Sequence, residues 1–587
     1  DFSGKAFNNL AGGVLNVATG ECVFSVSTFN EGSMTGGGGS LIKVDGSASG
    51  GFFTNQPGGT VSTAFHLVSS NLNINGALSL GTLTVSGGGI NGPEAITIPT
   101  GGSFNWTGGF MGSTAVINIG TGASATFNGG LEARGTINNS GVVTMIGGGL
   151  SGGPNQPATF NNLPNAVVNL NGWTTNVPSW HMVTNNQGTF NKNNGTELFT
   201  FGNDFSGKSF TNLAGGVVNV NSGTLAFNLP FPLQNGTFNV ASGTTLTGME
   251  PFNFAGPAVV NNGNITTPVL RYQGTNAQQL NGSGSITHLA IDNAAGVDLG
   301  GDQTVTSVLT MTNGQVRLGS SDLFVENNAV GAVAGGNASS WVENTGNGSL
   351  HRQVSTGTGN YVFPVGTGSY TPLTLSLTNG AQERFGVRVQ DGVSTEYSAP
   401  GVAGGSSIAS DIVGRTWVVS EEITGGNEAD VTLQWNGADE LSLFGRNACT
   451  VSNYSGSDWN IGPLAPAAGG DPFTRTLSGI NAFRELCVAD GDAPLNDINT
   501  GLNDRTNSYL KLFPVPASDV LHVTTTDGNS IIQVTLIDGM GRRIETRSTL
   551  NMGRSILDVS GLPAGTYVLE VIDDRELVMR TQVIIAH

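Results

Sequence analysis

The feature that most constrains the fold is a phrase that the chain repeats within itself. Residues 1–17 read DFSGKAFNNLAGGVLNV, and residues 204–220 read DFSGKSFTNLAGGVVNV. Related segments recur up to about residue 280, each with a Phe/Ile-x-Asn start, a Gly/Asn turn and an alternating run such as Val-Val-Asn-Val. Their spacing is irregular at roughly 20–25 residues, the scale of solenoid coils. The sequence therefore predicts a stack of short strands.

Each alternating run predicts a strand with one buried row. Residues two apart on a strand face the same side, so Val218 and Val220 point inward together while Asn219 points outward. Val168 and Leu170 form a second inward pair. One coil cannot bury its own inner face, so the coils stack and share a core. We predict an all-β fold that begins with a parallel β-solenoid of about a dozen coils; separate antiparallel sandwiches are the alternative.

The first coil is expected to contact further protein. Position 1 falls at a coil boundary and no polar cap precedes it, whereas solenoid ends need caps. An uncapped coil exposes unpaired backbone groups and an open apolar end. We therefore expect residues 1–17 to form an outer coil that meets a second copy of the chain or further turns of a longer repeat, with Phe2, Phe7 and Leu10 buried in that contact.

The pattern changes along the chain and predicts five segments. Beyond residue 335 the strands lengthen and alternate more clearly, which is typical of a sandwich, and Trp417, Trp435 and Trp459 supply apolar area for its core. The segments are a β-solenoid at 1–284, solenoid end or transition strands at 285–335, a β-sandwich domain at 336–489, a polar linker at 490–508 and a final β-sandwich at 509–587.

Composition excludes several classes of partner. The net charge is −19 and the pI is near 4.6, so no basic stripe is available to neutralise nucleic-acid phosphates. No stretch approaches 18 consecutive apolar residues, and no membrane-spanning helix is expected. Charged residues make up only 11% of the chain, against about 25% in typical soluble domains.

Two further features of the sequence are open to two readings each. Cys449 and Cys487 lie in strand-like runs of one predicted domain and could form a disulfide in an exported protein; the alternative is two separate buried thiols. The Asp-rich segment 490–508 could hold a structural calcium ion, but its spacing does not match an EF-hand loop. A solvated linker without any cofactor is the simpler interpretation.

The last 80 or so residues carry four motifs in order, LFPVPASDVLHV at 512–523, VTLIDGMGRRI at 534–544, LDVSGLPAGTYVLEV at 557–571 and VMRTQVIIAH at 578–587. The segment resembles the type A C-terminal sorting domain of type IX secretion substrates in Bacteroidota. Phe513 and Val515 replace the usual Tyr and Asn of the opening motif. The residues that match are Phe513, Pro514, Pro516, Ala517 and Asp519 in the opening, Asp538, Gly541 and Arg542 in the turn, Leu562, Gly565 and Tyr567 in the strand, and Arg580 with residues 583–585 at the end.

The resemblance implies a fold, a partner and a route. The final domain should be an Ig-like seven-strand sandwich that the type IX secretion machinery reads after the chain has entered the periplasm. The protein should then be extracellular or attached to the outer cell surface. Along one strand, Tyr567, Leu569 and Val571 should face the core, with Thr566 and Glu570 on the other face.

Catalysis is not expected. A hydrolase needs two carboxylates a few ångströms apart and a lyase needs a base with cationic support, but the solenoid carboxylates are scattered and no GxSxG, HExxH or P-loop occurs. Glu132 with Arg134 is the nearest cluster, and we interpret it as a surface ion pair. The carboxylates in question are Glu94, Glu132, Glu197, Asp204 and Glu250.

A binding role is the remaining class. Trp106, Trp173 and Trp180 could stack on sugars, although core packing accounts for them equally well. Thr-x-Thr pairs such as Thr82/Thr84 do not recur in every coil, which argues against an ice-binding ladder. The sequence favours a secreted structural protein or adhesin, a stalk or a subunit of an extracellular appendage with an unknown glycan or protein receptor. The alternative is a carbohydrate-binding or carbohydrate-active β-helix protein.

Overall fold

The structure is a computed structural model that describes residues 5–47, 50–153, 158–171, 179–202, 207–496, 510–525, 530–544, 548–551, 553–574 and 578–587. Strands dominate it, and the helices within these ranges are three short 3-10 turns at Val330–Ala332, Gly437–Asp439 and Arg446–Ala448. The chain forms two compact units. The first unit comprises residues 1–391, 417–436 and 470–483, and the second comprises 392–416, 437–469 and 484–587.

A β-solenoid of about 16 turns occupies residues 6–366, so the predicted parallel solenoid is confirmed. It is longer than the predicted 1–284 because parallel pairing continues through 285–335 to the strand Val365–Gly366. Most turns supply one strand to each of three parallel ladders, and four longer strands pass from one ladder to the next.

Ladder 1 contains Ala6–Asn9, Ser27–Asn30, Phe53–Asn55, Asn71–Ile74, Gly89–Asn91, Phe110–Met111, Ser179–His181, Leu198–Phe201, Thr224–Phe227, Thr245–Gly248, Asn264–Ile265, Leu323–Val325 and Leu350–Val354. Ladder 2, which is interrupted, contains Val14–Val17, Ser33–Gly36, Thr60–Val61, Leu78–Ser79, Ala95–Ile98, Val116–Ile119, Thr136–Asn139, Thr159–Asn162, Val183–Asn186, Ser209–Asn212, Phe252–Phe254, Leu270–Tyr272 and Val333–Gly335. Ladder 3 contains Glu21–Phe24, Leu41–Val44, Ala64–Leu67, Thr82–Val85, Ser103–Trp106, Val167–Leu170, Thr189–Lys192, Val217–Val220, Thr237–Val240, Ala258–Asn261, Gln278–Asn281, Val297–Gly300, Val316–Arg317, Val342–Glu343 and Val365–Gly366. Ser124–Ala133 and Val142–Ser151 run from ladder 3 to ladder 1, and Ser285–Asp292 and Gln303–Asn313 run from ladder 1 to ladder 2.

The solenoid interior is apolar and largely aromatic. The alternation predicted from sequence is present, since Val218 and Val220 are buried while Asn219 is half-buried on the outer side. From Phe160 to Tyr272 the buried rings touch from turn to turn, with neighbouring centroids such as Phe201 and Phe210 4.7 Å apart. Edge-to-face and offset contacts of this kind stabilise a core beyond the area they bury.

Buried asparagines align at the corners of the coil. At the ends of ladder 2 strands, the Asn162 side-chain N–H donates to Asn186 Oδ1 at 2.7 Å, and Asn186 donates in turn to Asn212 at 2.8 Å. Asn139 donates to Asn162 in the same way. A buried amide is costly unless it is hydrogen-bonded, and the stack supplies one partner from each neighbouring turn.

The first described turn is open to solvent on its outer side. Leu10 is 65% exposed and Val14 is 68% exposed, while Phe7 is half-buried. Phe2 lies outside the described residues. The expected burial of Phe2, Phe7 and Leu10 concerns an assembled form, and it stays a prediction.

The first unit continues beyond the solenoid as antiparallel sheet. Glu383–Asp391 pairs with Leu350–Val354, and a separate sheet joins Tyr361–Phe363, Leu373–Asn379, Glu428–Trp435 and Phe473–Ile480 in that order. The fully buried Trp417 and Trp435 lie in this unit, which agrees with their predicted core role. Arg352 is also buried, and its guanidinium donates to the Val330 carbonyl at 2.9 Å.

The second unit begins with short antiparallel strands, so the strands predicted as one domain at 336–489 are divided between the two units. Its first core contains Tyr397, Tyr454 and the predicted core residue Trp459. The strands are Tyr397–Ala399, Val402–Ala403, Cys449–Tyr454, Trp459–Ile461, Ala468–Gly469 and Glu485–Asp490. Residues 497–508 of the predicted linker, and with them most of the suggested calcium segment, lie outside the described residues.

The suggested disulfide between Cys449 and Cys487 is wrong. The two residues lie on neighbouring antiparallel strands, but Cys449 is opposite Asp490 and Cys487 is opposite Ser452. An offset of three residues puts their side chains on opposite faces of the sheet, and both remain thiols. The Cys449 thiol donates to the Arg446 carbonyl at 3.7 Å, while Cys487 packs in the core with Tyr454.

The final segment forms two four-stranded antiparallel sheets around one core. One sheet has the order Leu510–Phe513, Val520–Thr525, Arg554–Asp558, Ser548–Asn551, and the other has the order Arg543–Ile544, Ile531–Ile537, Gly565–Asp573, Val578–Ile585. The expected sandwich is confirmed, with eight strands instead of seven because the two-residue strand Arg543–Ile544 completes the second sheet. Among the described residues, no helix is long and apolar enough to cross a bilayer.

Candidate functional site: the C-terminal sorting tail

The opening motif ties the first strand of the tail to the last. Ala517 is fully buried, its N–H donates to the Ile584 carbonyl and its own carbonyl accepts from Ala586 N–H, both at 2.9 Å. The Asp519 carbonyl accepts the Val559 N–H at 2.9 Å. Pro514 and Pro516 both follow cis peptide bonds. The motif is therefore the place where the two ends of the tail meet.

Phe513 forms the exposed part of the opening motif. Its ring stacks on His522 with centroids 4.9 Å apart, and the Arg554 guanidinium lies 5.9 Å from the ring centroid. Phe513 is 42% exposed. The sequence reasoning did not single out His522 or Arg554. His522 is opposite Phe513 on the next strand, and Arg554 lies on the strand after that, opposite Thr524.

The second motif is a tight turn held by one carboxylate. Asp538 Oδ1 accepts the N–H groups of Met540 and Arg542 at 2.9 Å each, and Oδ2 accepts Arg542 Nε at 2.8 Å. Gly541 adopts φ +77°, a conformation that glycine takes without steric cost. The Arg542 backbone N–H and then its guanidinium hold the pKa of Asp538 below its usual range. Asp538, Gly541 and Arg542 thus belong to one turn, as the motif that they match implies.

The third motif begins the central strand. Leu562 packs against the core, and Tyr567 is buried with its hydroxyl donating to the Pro563 carbonyl at 2.7 Å. Gly565 is the first residue of the strand and lies opposite Ile585 of the final strand. The predicted inward face of Tyr567, Leu569 and Val571 is confirmed by their burial.

The fourth motif contributes an ion pair that the sequence reasoning missed. Arg580 contacts Glu570 Oε2 through its Nε at 2.8 Å and its Nη2 at 2.7 Å. The Arg543 guanidinium lies 3.0 Å from Oε1 of the same glutamate. The Glu570 side chain is only 4% exposed although it is on the outer face, because the two arginines cover it. The cross-strand register of Glu570 with Arg580 is the signal that could have found this pair.

The structure joins the motifs in pairs, not into one cavity. The opening motif meets the final strand at Ala517, and His587 Nε2 of the last residue lies 2.7 Å from the Leu562 carbonyl. The Asp538 turn interacts mainly with itself. Together these contacts produce a small folded module in which neighbouring strands hold exposed cations and an aromatic ring. Such a surface is suited to recognition by a partner protein.

The residues considered for catalysis are not assembled into a site. Arg134 makes a bidentate pair with Glu132 at 2.8 and 2.9 Å and lies over the Phe110 ring, which agrees with the surface ion-pair interpretation. Within the described ranges, no group of three or more His, Cys, Asp or Glu side chains is placed to hold a metal ion. Trp106 and Trp180 are fully buried in the solenoid core, so they cannot stack on a sugar; Trp173 lies outside the described residues.

Comparison with known families identifies the tail. Residues 511–586 match the family model of the secretion system C-terminal sorting domain, which is similar to what the four motifs suggested. A comparison with curated proteins finds no match to this chain. Such a tail implies engagement with the type IX secretion machinery and export to the cell surface or the extracellular space. The chain therefore carries a secretion system C-terminal sorting domain at residues 511–586, preceded by a β-solenoid of about 16 turns.

Proposed function

We propose that this chain is a non-enzymatic structural protein of the bacterial surface, a stiff stalk or adhesin or a subunit of an extracellular appendage. The observation that carries the proposal is the solenoid, in which about 16 turns stack through parallel ladders, two of them continuous, around an aromatic core. Such stacks are rigid spacers with long, regular sides.

The absence of catalysis is likewise a proposal. It is supported by the way the most promising carboxylate is used: both oxygens of Glu132 accept hydrogen bonds from Arg134, whereas glycoside hydrolysis uses a pair of carboxylates that flank the scissile bond. A carbohydrate-active enzyme of this shape remains the competing function.

The experiment is a deletion of residues 509–587 in the producing bacterium. We expect the truncated protein to accumulate in the periplasm and to be missing from the surface and the medium, because the deletion removes all four sorting motifs. The control is a variant with the exposed solenoid change Asn264→Lys, which should be exported normally. Normal display of the truncated chain would contradict the proposed route, and loss of display in both variants would point to misfolding.

A further inference from the structure

One sheet edge of the sorting tail is long, regular and open. The second sheet of the tail ends at the strand Val578–Ile585, which pairs with Gly565–Asp573 on one side only. All eight of its residues are paired there, without a shift in register. No strand of the described chain adjoins its other side. We call that outer side, along residues 578–583, the open edge.

The other three sheet edges of the described tail are short. Leu510–Phe513 and Ser548–Asn551 have four residues each, and Arg543–Ile544 has two. Pro514 and Pro516 follow the first of these strands, and a proline has no N–H to offer to a neighbouring strand. Short edges, prolines, bulges and charges are the means by which proteins avoid unwanted strand pairing. The strand that carries the open edge is at least twice as long and is paired without a bulge.

The tail itself shows that a main chain can pair along this edge. At one end of it, the Ala517 N–H donates to the Ile584 carbonyl and the Ala517 carbonyl accepts the Ala586 N–H, both at 2.9 Å. Main-chain groups of alternate residues point to the same side of a strand, so those of Arg580 and Gln582 also point to the open edge. Each of these two residues therefore offers one N–H donor and one carbonyl acceptor to an incoming strand.

The charged side chain of this strand does not protect the edge. Charges on an edge strand usually discourage pairing, and the strand sequence VMRTQVII contains one charged residue, Arg580. Arg580 is bound to Glu570 of the neighbouring strand at 2.7 Å, and Arg543 reaches the same carboxylate from the other side of that strand. The Arg580 guanidinium is thus held over the sheet face, away from the open edge.

An extended peptide suits the open edge better than a second copy of the chain. Residues 578–583 span about 20 Å, and a short peptide can pair with the whole of that length through its main chain. A stable pair of globular proteins buries about 800 Å² on each partner, far more than this edge supplies. Two copies that each carry a net charge of −19 also repel each other.

The family match indicates which protein supplies the peptide. Residues 511–586 match a secretion sorting domain, which implies engagement with the type IX secretion machinery. We propose that the open edge binds an extended segment of that machinery, which joins the second sheet as a further strand. The inference rests on the proposed export through the tail, and it adds to that export a surface and a mode of recognition.

The test separates main-chain pairing from side-chain recognition at one exposed residue. Gln582→Pro removes an N–H that points to the open edge and leaves the pairing with Gly565–Asp573 in place, because edge strands tolerate proline where the N–H faces solvent. Gln582→Ala keeps this N–H and is the matched control. Both variants of the full chain are produced in the native bacterium, and the displayed and periplasmic protein are quantified.

We expect Gln582→Pro to lower display by roughly fivefold or more, the factor that corresponds to one lost hydrogen bond, and to accumulate in the periplasm. Gln582→Ala should stay close to the parent. Circular dichroism and thermal unfolding of the purified chains establish that the variants fold. If Gln582→Pro does not fold, Gln582→Lys takes its place and should show the same loss, because a lysine on an edge strand discourages pairing.

Three results would overturn the inference. The first is normal display of a folded Gln582→Pro variant, and the second is an equal loss in Gln582→Ala, which would mean that the side chain is recognised. The third is a dimer of the parent in light scattering that Gln582→Pro dissociates, which would assign the edge to a second copy. Deletion of residues 509–587 keeps the two proposals apart: display of the truncated chain contradicts the export route, whereas retention of the truncated chain with normal display of Gln582→Pro contradicts only the role of the open edge.

Discussion

Asn186 uses every hydrogen-bonding group of its side chain inside the stack of turns. It accepts from Asn162, donates to Asn212 and also donates to the Val217 carbonyl at 3.2 Å. Its neighbour Asn185 takes part in a similar ladder with Asn161, but on the half-exposed outer side. Adjacent residues of the same type therefore offer a direct comparison of a buried and a hydrated amide ladder.

We expect Asn186→Ala to destabilise the solenoid by about 2–4 kcal/mol, because three buried polar groups lose their partner and no water replaces it. Asn185→Ala should cost about 0.5–1 kcal/mol, since water can satisfy the groups that it leaves. Urea titration followed by circular dichroism measures both. Equal shifts of the unfolding midpoint would contradict the importance of burial.

A buried carboxylate in the second unit makes stability depend on pH. Burial raises the pKa of Asp490 to about 6, and the nearby Asp411 and Asp492 carboxylates also raise it, while N–H groups of Gly445 and Asp492 oppose the shift. The folded state therefore holds a proton that the unfolded state releases above about pH 4. This contribution stabilises the fold at low pH and is lost as the pH rises through about 6.

We expect the stability of the Asp490→Asn variant, measured against that of the parent, to be more favourable at pH 7.5 than at pH 5. The gain between the two pH values should be at most about 2 kcal/mol. The measurement is thermal unfolding of both proteins at the two pH values, comparing the shift of the variant with that of the parent. Taking this difference cancels the contribution of groups whose pKa is shifted the other way. One of them is Asp45, where hydrogen bonds from Ser69 and Ser47 lower the pKa to about 2. A parent and a variant with the same pH profile would refute the assignment.

At the level of secondary-structure elements, short turns and the register between strands determine the structure of the tail. The turn at Asp538 is closed by two backbone hydrogen bonds to a single carboxylate, with an exposed ion pair added. Hydrogen bonds from backbone N–H groups to a carboxylate stabilise a turn more than an exposed ion pair does.

Asp538→Ala should accordingly cost about 1–2 kcal/mol, whereas Arg542→Ala should cost less than about 1 kcal/mol. Hydrogen exchange gives the sharper measurement. In Asp538→Ala the amides of Met540 and Arg542 should exchange faster, and in Arg542→Ala the amide of residue 540 should keep its protection. Fast exchange in both variants would show that the ion pair holds the turn.

Sequence patterns predicted the strands themselves better than which residues of neighbouring strands lie opposite one another. The inward pair Val218 and Val220 follows from local alternation, which needs no knowledge of the fold. In contrast, Asn162 and Asn186 are 24 residues apart, and the irregular length of each turn hides which residues align. The same loss of register produced the wrong disulfide between Cys449 and Cys487 and concealed the partner of Glu570.

The outer side of ladder 3 shows the same limit. Thr82/Thr84 is an isolated pair along the sequence, and its failure to recur there spoke against an ice-binding ladder. The strand register aligns Thr84 with Asn105 and Thr126 of the next two turns, so what recurs is an uncharged polar side chain and not a fixed motif. The tail was predictable in more detail because its motifs have a fixed order and spacing within a short segment.

At the scale of the whole molecule, charge and the use of carboxylates argue against action on acidic glycans. The chain carries −19, which repels polyanions, and Glu132 is engaged by Arg134. We expect no product release from polygalacturonate or alginate, with or without added calcium, when reducing ends and unsaturated products are assayed. Turnover that vanishes in Glu132→Gln or Arg134→Ala would reverse the proposal of a non-enzymatic protein.

The parallel ladders also determine how the solenoid unfolds under mechanical force. Its strands run across the direction in which the turns are stacked, so a pull on the chain does not shear a whole sheet at once. It peels away the outermost turn, whose few backbone hydrogen bonds to the next turn break before the following turn is loaded. Each event releases the contour length of one coil and leaves the remaining stack intact. A solenoid of this kind would lengthen under load in many small steps, one turn at a time, instead of failing in a single step.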